Sequence, residues 1–472
     1  MRDIRLTKKS TLLVVISLSG FLTGFDYTAL NVAIPELSQL FHSSYSITSW
    51  VLLAYALVFV SFSMPAGNLM TLFGVRALLY VGFAVYAIGS VLCGIAPNIY
   101  ILIAARALQA IGGAILFVSG PALVRTQLPK QDRGHGYGVA ALAPTIGVFA
   151  GPALGALVIT ELGWRWIFAI NLPVCALGIL LINGLESTSN RHAAEKQKLD
   201  VPGALLLFVA LVCFVLAVNQ GTELGWTNPI ILAMCCLSAV CITGFIYWEL
   251  NSEDASMDIR LLLERPFLIG SLAVFLFLML YGGLNFSMPI FLNQIKGLAT
   301  GSVGLVMAIQ PMVVLIMTLF AGWLAKAIAV DARAKMGFAL LLIALLLALE
   351  DHLTTGILLI ACVLFLFGLG QSLFLASTIE MTLEQIDEGR AARANGLLST
   401  LRTLGQLIGV VMFETLLSES VGANNIQVTP TQGDHYDFRS IFWFALSVSV
   451  MAGFAAIYLA RLVSHAAEGE AP

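Results

Sequence analysis

The sequence predicts an all-α integral membrane protein with fourteen transmembrane helices, grouped as six, two and six. Three observations predict this fold class. Of the 472 residues, 59% are hydrophobic and 11% are charged, whereas about 25% of residues are charged in soluble domains. Fourteen apolar runs approach or exceed the roughly 20 residues that cross a bilayer. The runs show no strand-like alternation, and in hydrocarbon a helix satisfies its backbone hydrogen bonds internally.

The composition also argues against several classes of protein. A soluble enzyme of this size needs a polar surface that so few charged residues cannot supply. The formal net charge is −3, so no basic field is present that would attract nucleic acid. No G-x-x-x-x-G-K-[ST] phosphate loop occurs, which argues against an intrinsic ATP-driven pump. The seven cysteines lie in apolar runs without metal-ligand or disulfide spacing, so we expect no metal and no cofactor.

The apolar runs follow one another along the whole chain. The first six predicted spans are 11–34, 46–69, 76–96, 98–124, 136–159 and 164–184. The two inserted spans are 201–219 and 228–248. The last six are 266–292, 302–325, 336–349, 356–379, 391–417 and 440–460. The eleventh run, 336–349, is short for a crossing, and we keep it because charged residues that can extend toward the interfaces flank it.

Two charged segments divide the spans into three parts. Residues 185–200 and 249–265 are polar and rich in charge, a composition with little capacity for packing. We therefore predict an N-terminal six-helix bundle over residues 1–185, a cytoplasmic linker with two inserted helices over 186–265, and a C-terminal six-helix bundle over 266–472.

The distribution of Lys and Arg predicts the orientation. Nineteen of the 24 basic residues fall on one side of the fourteen spans and three on the other, and two remain inside. Because cytoplasmic loops carry the excess of Lys and Arg, we expect both termini in the cytoplasm and the protein in the cytoplasmic (inner) membrane.

Few charged residues lie inside the predicted spans, and each is costly enough to be a functional candidate. They are Asp26, Arg106, Arg402 and, near an outer end, Glu414. Asp26 lies past the midplane, roughly 22 Å along the first span at 1.5 Å per residue. Hydrocarbon disfavours the charged carboxylate and a nearby cation favours it, so such a group can bind and release a proton. A structural polar contact between helices is the alternative for Asp26.

Two segments resemble signatures of the fourteen-span drug:proton antiporters of the major facilitator superfamily. Residues 26–35, DYTALNVAIP, match the first-helix pattern D-x-T-x-x-N-x-A-x-P, and residues 164–173, WRWIFAINLP, resemble W-R-W-I-F-x-I-N-x-P. The resemblance covers nearly the whole chain, including the two inserted helices. It implies the major facilitator fold and proton-driven export, and it places Asn31 among the residues expected at the substrate cavity.

Arg106 begins the segment RALQAIGGA in the fourth predicted helix, where Gln109 shares its face at i, i+3 spacing. The segment is similar to the superfamily motif R-x-x-Q-G-x-G, with Ala110 in place of the first glycine. The resemblance implies that Arg106 takes part in proton transfer by tuning Asp26, and we assign Gln109 to the substrate cavity. A buried structural cation bonded to carbonyl groups is the alternative for Arg106.

Gly147, Gly151 and Gly155 recur every four residues in the fifth predicted helix, with Pro152 among them. Small residues at this spacing let a second helix approach closely, and the proline permits a bend. The run resembles the antiporter motif G-x-x-x-G-P-x-x-G-G, with Ala156 at its last position. In the family this motif marks exporters, so the resemblance implies outward transport; ordinary small-residue packing is the alternative.

The segment after the second span resembles the gating loop G-x-x-x-D-x-x-G-R-K of the superfamily. It carries Gly67, Thr71, Gly74 and Arg76. Thr71 stands where the family has aspartate, which in the family joins a charge network that holds the inward side closed. We therefore expect an uncharged latch at this position.

Polar residues on the C-terminal helices complete the predicted substrate cavity. Gly and Pro near mid-membrane mark helices that can bend around a central site. Arg402 and Gln406 lie one turn apart in a segment that resembles R-x-x-G-x-x-I-G of the subfamily. Contacts between helices are the alternative for each of these residues. The set is Asn285, Gln310, Gln371, Arg402, Gln406 and Glu414.

These features predict a proton-coupled secondary transporter that exports small amphipathic or drug-like compounds by alternating access. A uniporter or symporter for a lipid, an organic anion or a nutrient is the alternative. A membrane enzyme would have to use Glu350, Asp351 and His352, which we interpret as a solvated turn. No repeated pore filter is visible, which argues against a channel. We expect a monomer whose partners are protons, a small amphipathic substrate and the lipid bilayer.

Overall fold

The computed structural model describes residues 2–183, 200–252, 257–349, 356–387, 390–421 and 439–468. Within these ranges every regular element is helical, and fourteen helical segments are long and apolar enough to cross a membrane. The predicted all-α class with fourteen spans is therefore confirmed. The residues considered for an enzyme, Glu350, Asp351 and His352, lie outside the described ranges.

Seven helices form the first six spans, because the sixth span is divided at Ile170. They are α1 (Arg2–Leu40), α2 (Tyr45–Phe73), α3 (Val75–Gly94), α4 (Ile99–Gln127), α5 (Arg133–Leu162), α6 (Arg165–Ala169) and α7 (Asn171–Ile182).

Short polar side chains and a glycine fix several helix ends. The side-chain oxygen of Asn98 accepts the backbone N–H of Ile101 at 2.9 Å and so caps α4. Ser44 caps α2 in the same way, through Ile47 at 3.2 Å. These caps satisfy N–H groups that lack a partner in the first turn of a helix. Gly74 joins α2 to α3 with a φ of 83°, a conformation that glycine adopts without steric cost, so the turn needs only one residue.

Nine helices form the remaining eight spans, because the tenth span is divided at Ala308. A short π-helical segment, Phe291–Ile295, extends the ninth span. The helices are α8 (Val201–Leu224), α9 (Pro229–Asn251), α10 (Arg265–Ile290), α11 (Thr300–Met307), α12 (Ile309–Ala327), α13 (Val330–Leu349), α14 (Ile357–Glu384), α15 (Ala391–Val421) and α16 (Arg439–Glu468).

The eleventh span is longer than the sequence predicted. We expected residues 336–349, whereas α13 begins at Val330 and spans 20 residues. The added turn contains charged residues that find partners. Arg333 donates to both carboxylate oxygens of Glu380 at 3.0 and 3.1 Å, and Lys335 lies 2.9 Å from Asp331. A span predicted from an apolar run stops at these charged residues. The helix continues through them because their charges are paired.

The chain divides into two compact units. One contains Met1–Val212 and Ala299–Ala308, and the other contains Cys213–Leu298 and Ile309–Pro472. The first unit therefore holds α1 to α7 and α11, and the second holds α9, α10 and α12 to α16. The three-part division predicted from the charged segments remains a prediction.

Glycines bring two helices into backbone contact inside each unit. In the first unit α5 packs against α1, and a Cβ atom added at Gly147 would lie 2.6 Å from the backbone nitrogen of Phe25. In the second unit α15 packs against α10, and a Cβ at Gly405 would lie 2.5 Å from the carbonyl oxygen of Phe275. Both approaches are shorter than any real Cβ contact, so each helix pair depends on the missing side chain.

Candidate functional site

A buried ion pair lies inside the first unit. Arg106 Nη1 on α4 donates to Asp26 Oδ2 on α1. The two side chains are 1% and 0% exposed. Charges removed from water this completely are costly unless they are paired and hydrogen-bonded, so the pair explains how both residues are tolerated. The two intramembrane charges that the sequence singled out in the first half of the chain are therefore brought together.

Neutral groups hold the Arg106 guanidinium on its other sides. Nε donates to the backbone carbonyl of Val51 at 3.2 Å, and Nη1 also donates to Gln109 Oε1 at 2.6 Å. The guanidinium carbon lies 4.2 Å from the centroid of the Tyr55 ring, close enough for a cation–π interaction. Arg106 thus has three neutral partners in addition to Asp26.

A chain of buried polar side chains continues from Arg106. Gln109 Nε2 donates to Ser90 Oγ at 2.9 Å, and Asn171 Nδ2 donates to the same oxygen at 3.3 Å. Ser90 in turn donates to the carbonyl of Tyr86 at 2.9 Å. The chain links α4 to α3 and α7 and fixes the orientation of the Gln109 amide, whose oxygen faces Arg106.

The two oxygens of the Asp26 carboxylate differ in their surroundings. Oδ1 is buried and has no hydrogen-bond partner among the described residues. The hydroxyl of Tyr55 is also buried without a partner in that part of the chain. Buried polar atoms are nearly always bonded, so an exception calls for a functional or solvent explanation. The carboxylate therefore offers one oxygen to Arg106 and one to a proton or a water molecule.

Other residues of the first-helix motif have structural contacts. Thr28 Oγ1 donates to the carbonyl of Val148 on α5 at 3.2 Å. Asn31, expected at the substrate cavity, is buried and donates to the carbonyl of Tyr27 at 3.3 Å. Neither hydrogen bond involves the ion pair, so these residues fix α1 rather than contact the carboxylate.

The small-residue stripe of α5 serves two helices. Gly147, Gly151 and Gly155 face α1, and a Cβ at Gly155 would lie 3.1 Å from the Cα of Ala29. On α11, a Cβ at Gly304 would overlap the Cβ of Ala156 and the carbonyl oxygen of Pro152. The close packing predicted from the spacing of the glycines is present. It holds the part of α1 that carries Asp26 against α5.

The residues that resemble a gating loop lie around the junction of α2 and α3. Gly67 is inside α2, where a Cβ would meet Val118 at an ordinary 3.8 Å. Arg76 donates to the backbone carbonyl of Asn183 at 3.4 Å. The side chain of Thr71 lies outside the part of the structure that is described. The expectation of an uncharged latch at Thr71 therefore stays a prediction from the sequence.

The second unit brings together only part of the predicted cavity set. Gln310 on α12 donates through Nε2 to Gln371 Oε1 on α14, and both side chains are buried. Asn285 donates to the carbonyl of Tyr281 within its own helix at 2.9 Å. These amides are satisfied by protein groups, so their hydrogen bonds give no separate sign of a binding role.

Glu414 and Arg402 differ sharply, although both are on α15. Glu414 is 1% exposed and accepts a hydrogen bond from Asn219 Nδ2 on α8 at 2.8 Å. Arg402 and Gln406 are half-buried, and no hydrogen bond or ion pair joins either side chain to another described residue. Across the described ranges, no three His, Cys, Asp or Glu residues group to hold a metal ion.

Sequence reasoning missed several members of these clusters. Ser90, Tyr55 and Asn219 give no signal, because hydroxyl and amide groups inside apolar helices commonly bond to the carbonyl one turn earlier. Asn171 could have been found, since it belongs to the segment WRWIFAINLP, which resembles a known signature. Its role there was not assigned.

Comparison with known proteins identifies a family. The family model described as Major Facilitator Superfamily matches residues 16–410 and 270–472. The chain is 29% identical over 415 residues to the multidrug resistance protein Stp of Mycobacterium tuberculosis, covering 87% of this chain and 76% of Stp. It is 26% identical to the riboflavin transporter RibZ of Clostridioides difficile, covering 96% and 98% of the two chains.

A further relative and a solved structure also resemble this chain. The putative multidrug resistance protein MdtD of Escherichia coli O81 is 27% identical, with 95% of this chain and 94% of MdtD covered. The solved structure of the xylose transporter XylE from E. coli superposes with a TM-score of 0.62 at 15% identity, covering 94% of this chain and 96% of XylE. The XylE likeness concerns the fold alone.

Proposed function

Because this chain belongs to the Major Facilitator Superfamily and is therefore a transporter, we propose that it exchanges protons for small amphipathic or drug-like compounds and exports them. The observation that carries this proposal is the buried Asp26 carboxylate, with one oxygen on Arg106 and the other without a partner among the residues that the structure describes. In this proposal the protein is a monomer in the cytoplasmic membrane. The asymmetry of its basic residues supports placing both termini in the cytoplasm.

The geometry allows Asp26 to gain and lose a proton while Arg106 keeps other interaction partners. A proton bound at Oδ1 neutralises the carboxylate and weakens its hold on Arg106. The guanidinium then keeps the Val51 carbonyl, the Gln109 oxygen and the Tyr55 ring. An arginine is not deprotonated in proteins, so the proton is exchanged at the carboxylate. The ion pair is thus a two-state contact whose strength depends on protonation.

The proton gradient supplies enough energy for export. One elementary charge that moves through a membrane potential of ~150 mV releases ~3.5 kcal/mol. At about 1.36 kcal/mol per factor of ten, this supports roughly a 300-fold gradient of an uncharged substrate. No second energy source is required.

The direction of transport and the substrate class are inferred from a motif resemblance and from the relatives. The α5 segment resembles the motif that marks exporters, and Stp and MdtD carry multidrug-resistance names. RibZ, by its name, transports riboflavin, and this favours a second candidate, a uniporter or symporter for a nutrient or another organic molecule.

Flux in proteoliposomes separates the two candidates. Purified protein is reconstituted, and uptake of a panel of radiolabelled amphipathic compounds is measured with the vesicle interior acidic, alkaline or equal in pH to the medium. Antiport predicts accumulation only when the interior is acidic. Accumulation only with an alkaline interior indicates symport, and accumulation that ignores the pH gradient indicates a uniporter; either result contradicts the proposal.

A further inference from the structure

A strip of polar side chains runs along one face of α15. Asn395, Ser399, Arg402 and Gln406 are spaced i, i+4, i+7 and i+11, which places them on a single helix face. Asn395 is exposed and the other three are half-buried. Arg402 lies nine residues inside the span that begins at Arg393, or about 14 Å along the helix axis.

The side chains of this strip have no partners within the described ranges of the chain. No hydrogen bond or ion pair connects any of the four side chains to another described residue, whereas two hydroxyl groups on α15 are satisfied within their own helix. The hydroxyl of Thr400 donates to the carbonyl of Gly396 at 3.2 Å, and that of Thr415 donates to Val411 at 2.8 Å. The lack of partners is therefore a property of this face.

The strip has defined borders. Gly405 beside the strip and Gly409 at its end pack against α10, where their added Cβ atoms would meet the carbonyls of Phe275 and Met279. Along the same face toward the other end, Phe413 is fully buried. Polar groups facing acyl chains at this depth would be costly, so the strip requires water or a polar ligand.

The charge at the strip is not compensated. Asp26 and Arg106 neutralise each other, and Glu414 is bonded to Asn219, but Arg402 has no carboxylate partner in the described ranges. A guanidinium presents a planar set of donors that matches a carboxylate in a bidentate arrangement. The Gln406 amide, one turn further, adds another donor on the same face.

We propose that this strip binds the anionic head group of the substrate, an organic carboxylate carried on an apolar body, with Arg402 as the principal contact and Gln406 as the second. The inference rests on the proposed function in taking the substrate to be a small amphipathic molecule. It narrows the substrate class to organic anions and assigns recognition of the head group to residues of the second unit.

Equilibrium binding of matched probes tests the assignment. Radiolabelled naphthoate, uncharged naphthamide and naphthylmethylammonium share an aromatic body and differ in charge. Wild-type protein purified in detergent is expected to bind naphthoate at least tenfold more tightly than the cation. Arg402→Gln is expected to weaken naphthoate binding by about 10- to 100-fold, the range for hydrogen bonds to charged groups, and to leave naphthamide binding within twofold.

Two further variants sharpen the result. Arg402→Lys keeps the charge without the planar fork, so naphthoate should still bind better than the cation. Thr400→Ala is the matched control, because Thr400 lies on the same turn but bonds within its own helix, and it should bind all three probes as the wild type does. Should Arg402→Gln fail to fold, Gln406→Leu takes its place, with a several-fold loss of naphthoate affinity expected.

Three results would overturn the assignment: no binding of naphthoate to the wild type, equal binding of naphthoate and the cation, or unchanged naphthoate binding in Arg402→Gln and Gln406→Leu. The assay uses no gradient, so its outcome is independent of proton coupling. Arg402-dependent anion binding in a protein that ignores pH gradients would refute only the proposed antiport.

Discussion

Arg106 divides its guanidinium between one charged partner and three neutral ones. This arrangement makes Asp26 dependent on Arg106 more than Arg106 depends on Asp26. A buried carboxylate without its cation is left uncompensated unless it takes up a proton, because Oδ1 already lacks a partner in the described part of the chain. Arg106 retains the Val51 and Gln109 oxygens whichever state Asp26 is in.

This asymmetry predicts a pattern of stability. Arg106→Gln should destabilise the protein strongly, by about 3–5 kcal/mol, the cost of breaking a buried pair by removing one partner. Asp26→Asn combined with Arg106→Gln should recover most of that loss, because no uncompensated charge remains. Thermal unfolding of the purified variants in detergent measures both effects. A double variant as unstable as Arg106→Gln alone would show that the carboxylate is not the cause.

At this scale the sequence located the charges but not their surroundings. Asp26 and Arg106 stand out because a charge in hydrocarbon is costly, and that cost also predicts that they meet. Tyr55 and Ser90 do not stand out, because neutral polar groups are tolerated in any apolar helix. The contact between Asn219 and Glu414 joins residues 195 positions apart, a separation at which no local pattern operates.

The close packing of α5 on α1 fixes the segment of α1 that contains Asp26. The glycine spacing predicted this contact, since only a small residue every fourth position permits backbone approach. The structure adds the partner, which spacing alone does not identify. It also shows why the eleventh span was predicted too short. The charged residues at its start are paired with Glu380 and with each other, and a hydropathy profile counts them as charged whether or not they are paired.

Gly147 gives a test of this contact. Gly147→Ala places a methyl group 2.6 Å from the Phe25 nitrogen, next to Asp26, so we expect α1 to be displaced and proton-driven transport to fall at least tenfold. Gly138→Ala on the same helix is the control, because its Cβ meets nothing within 4 Å and alanine favours the helix. The measurement is uptake into proteoliposomes with an acidic interior. Equal activity of the two variants would contradict a role for the contact.

For the molecule as a whole, hydropathy was enough to predict fourteen helical spans, because the bilayer imposes length and internal hydrogen bonding on every one of them. The same information does not fix the boundaries of compact units. The structure assigns Ala299–Ala308, a part of the tenth span, to the first unit, and this depends on the fit of Gly304 against the Pro152 carbonyl rather than on any apolar run.

The claim on which the account depends most is that Asp26 carries the transported proton. The direct measurement is proton flux, followed with a pH-sensitive dye inside proteoliposomes, when the compound that the wild type transports best is added outside. Wild-type protein and Glu36→Gln, a control on the same helix, should release protons in step with uptake. Asp26→Asn, folded and reconstituted to the same level, should release none; proton release by Asp26→Asn at the wild-type rate would contradict the account.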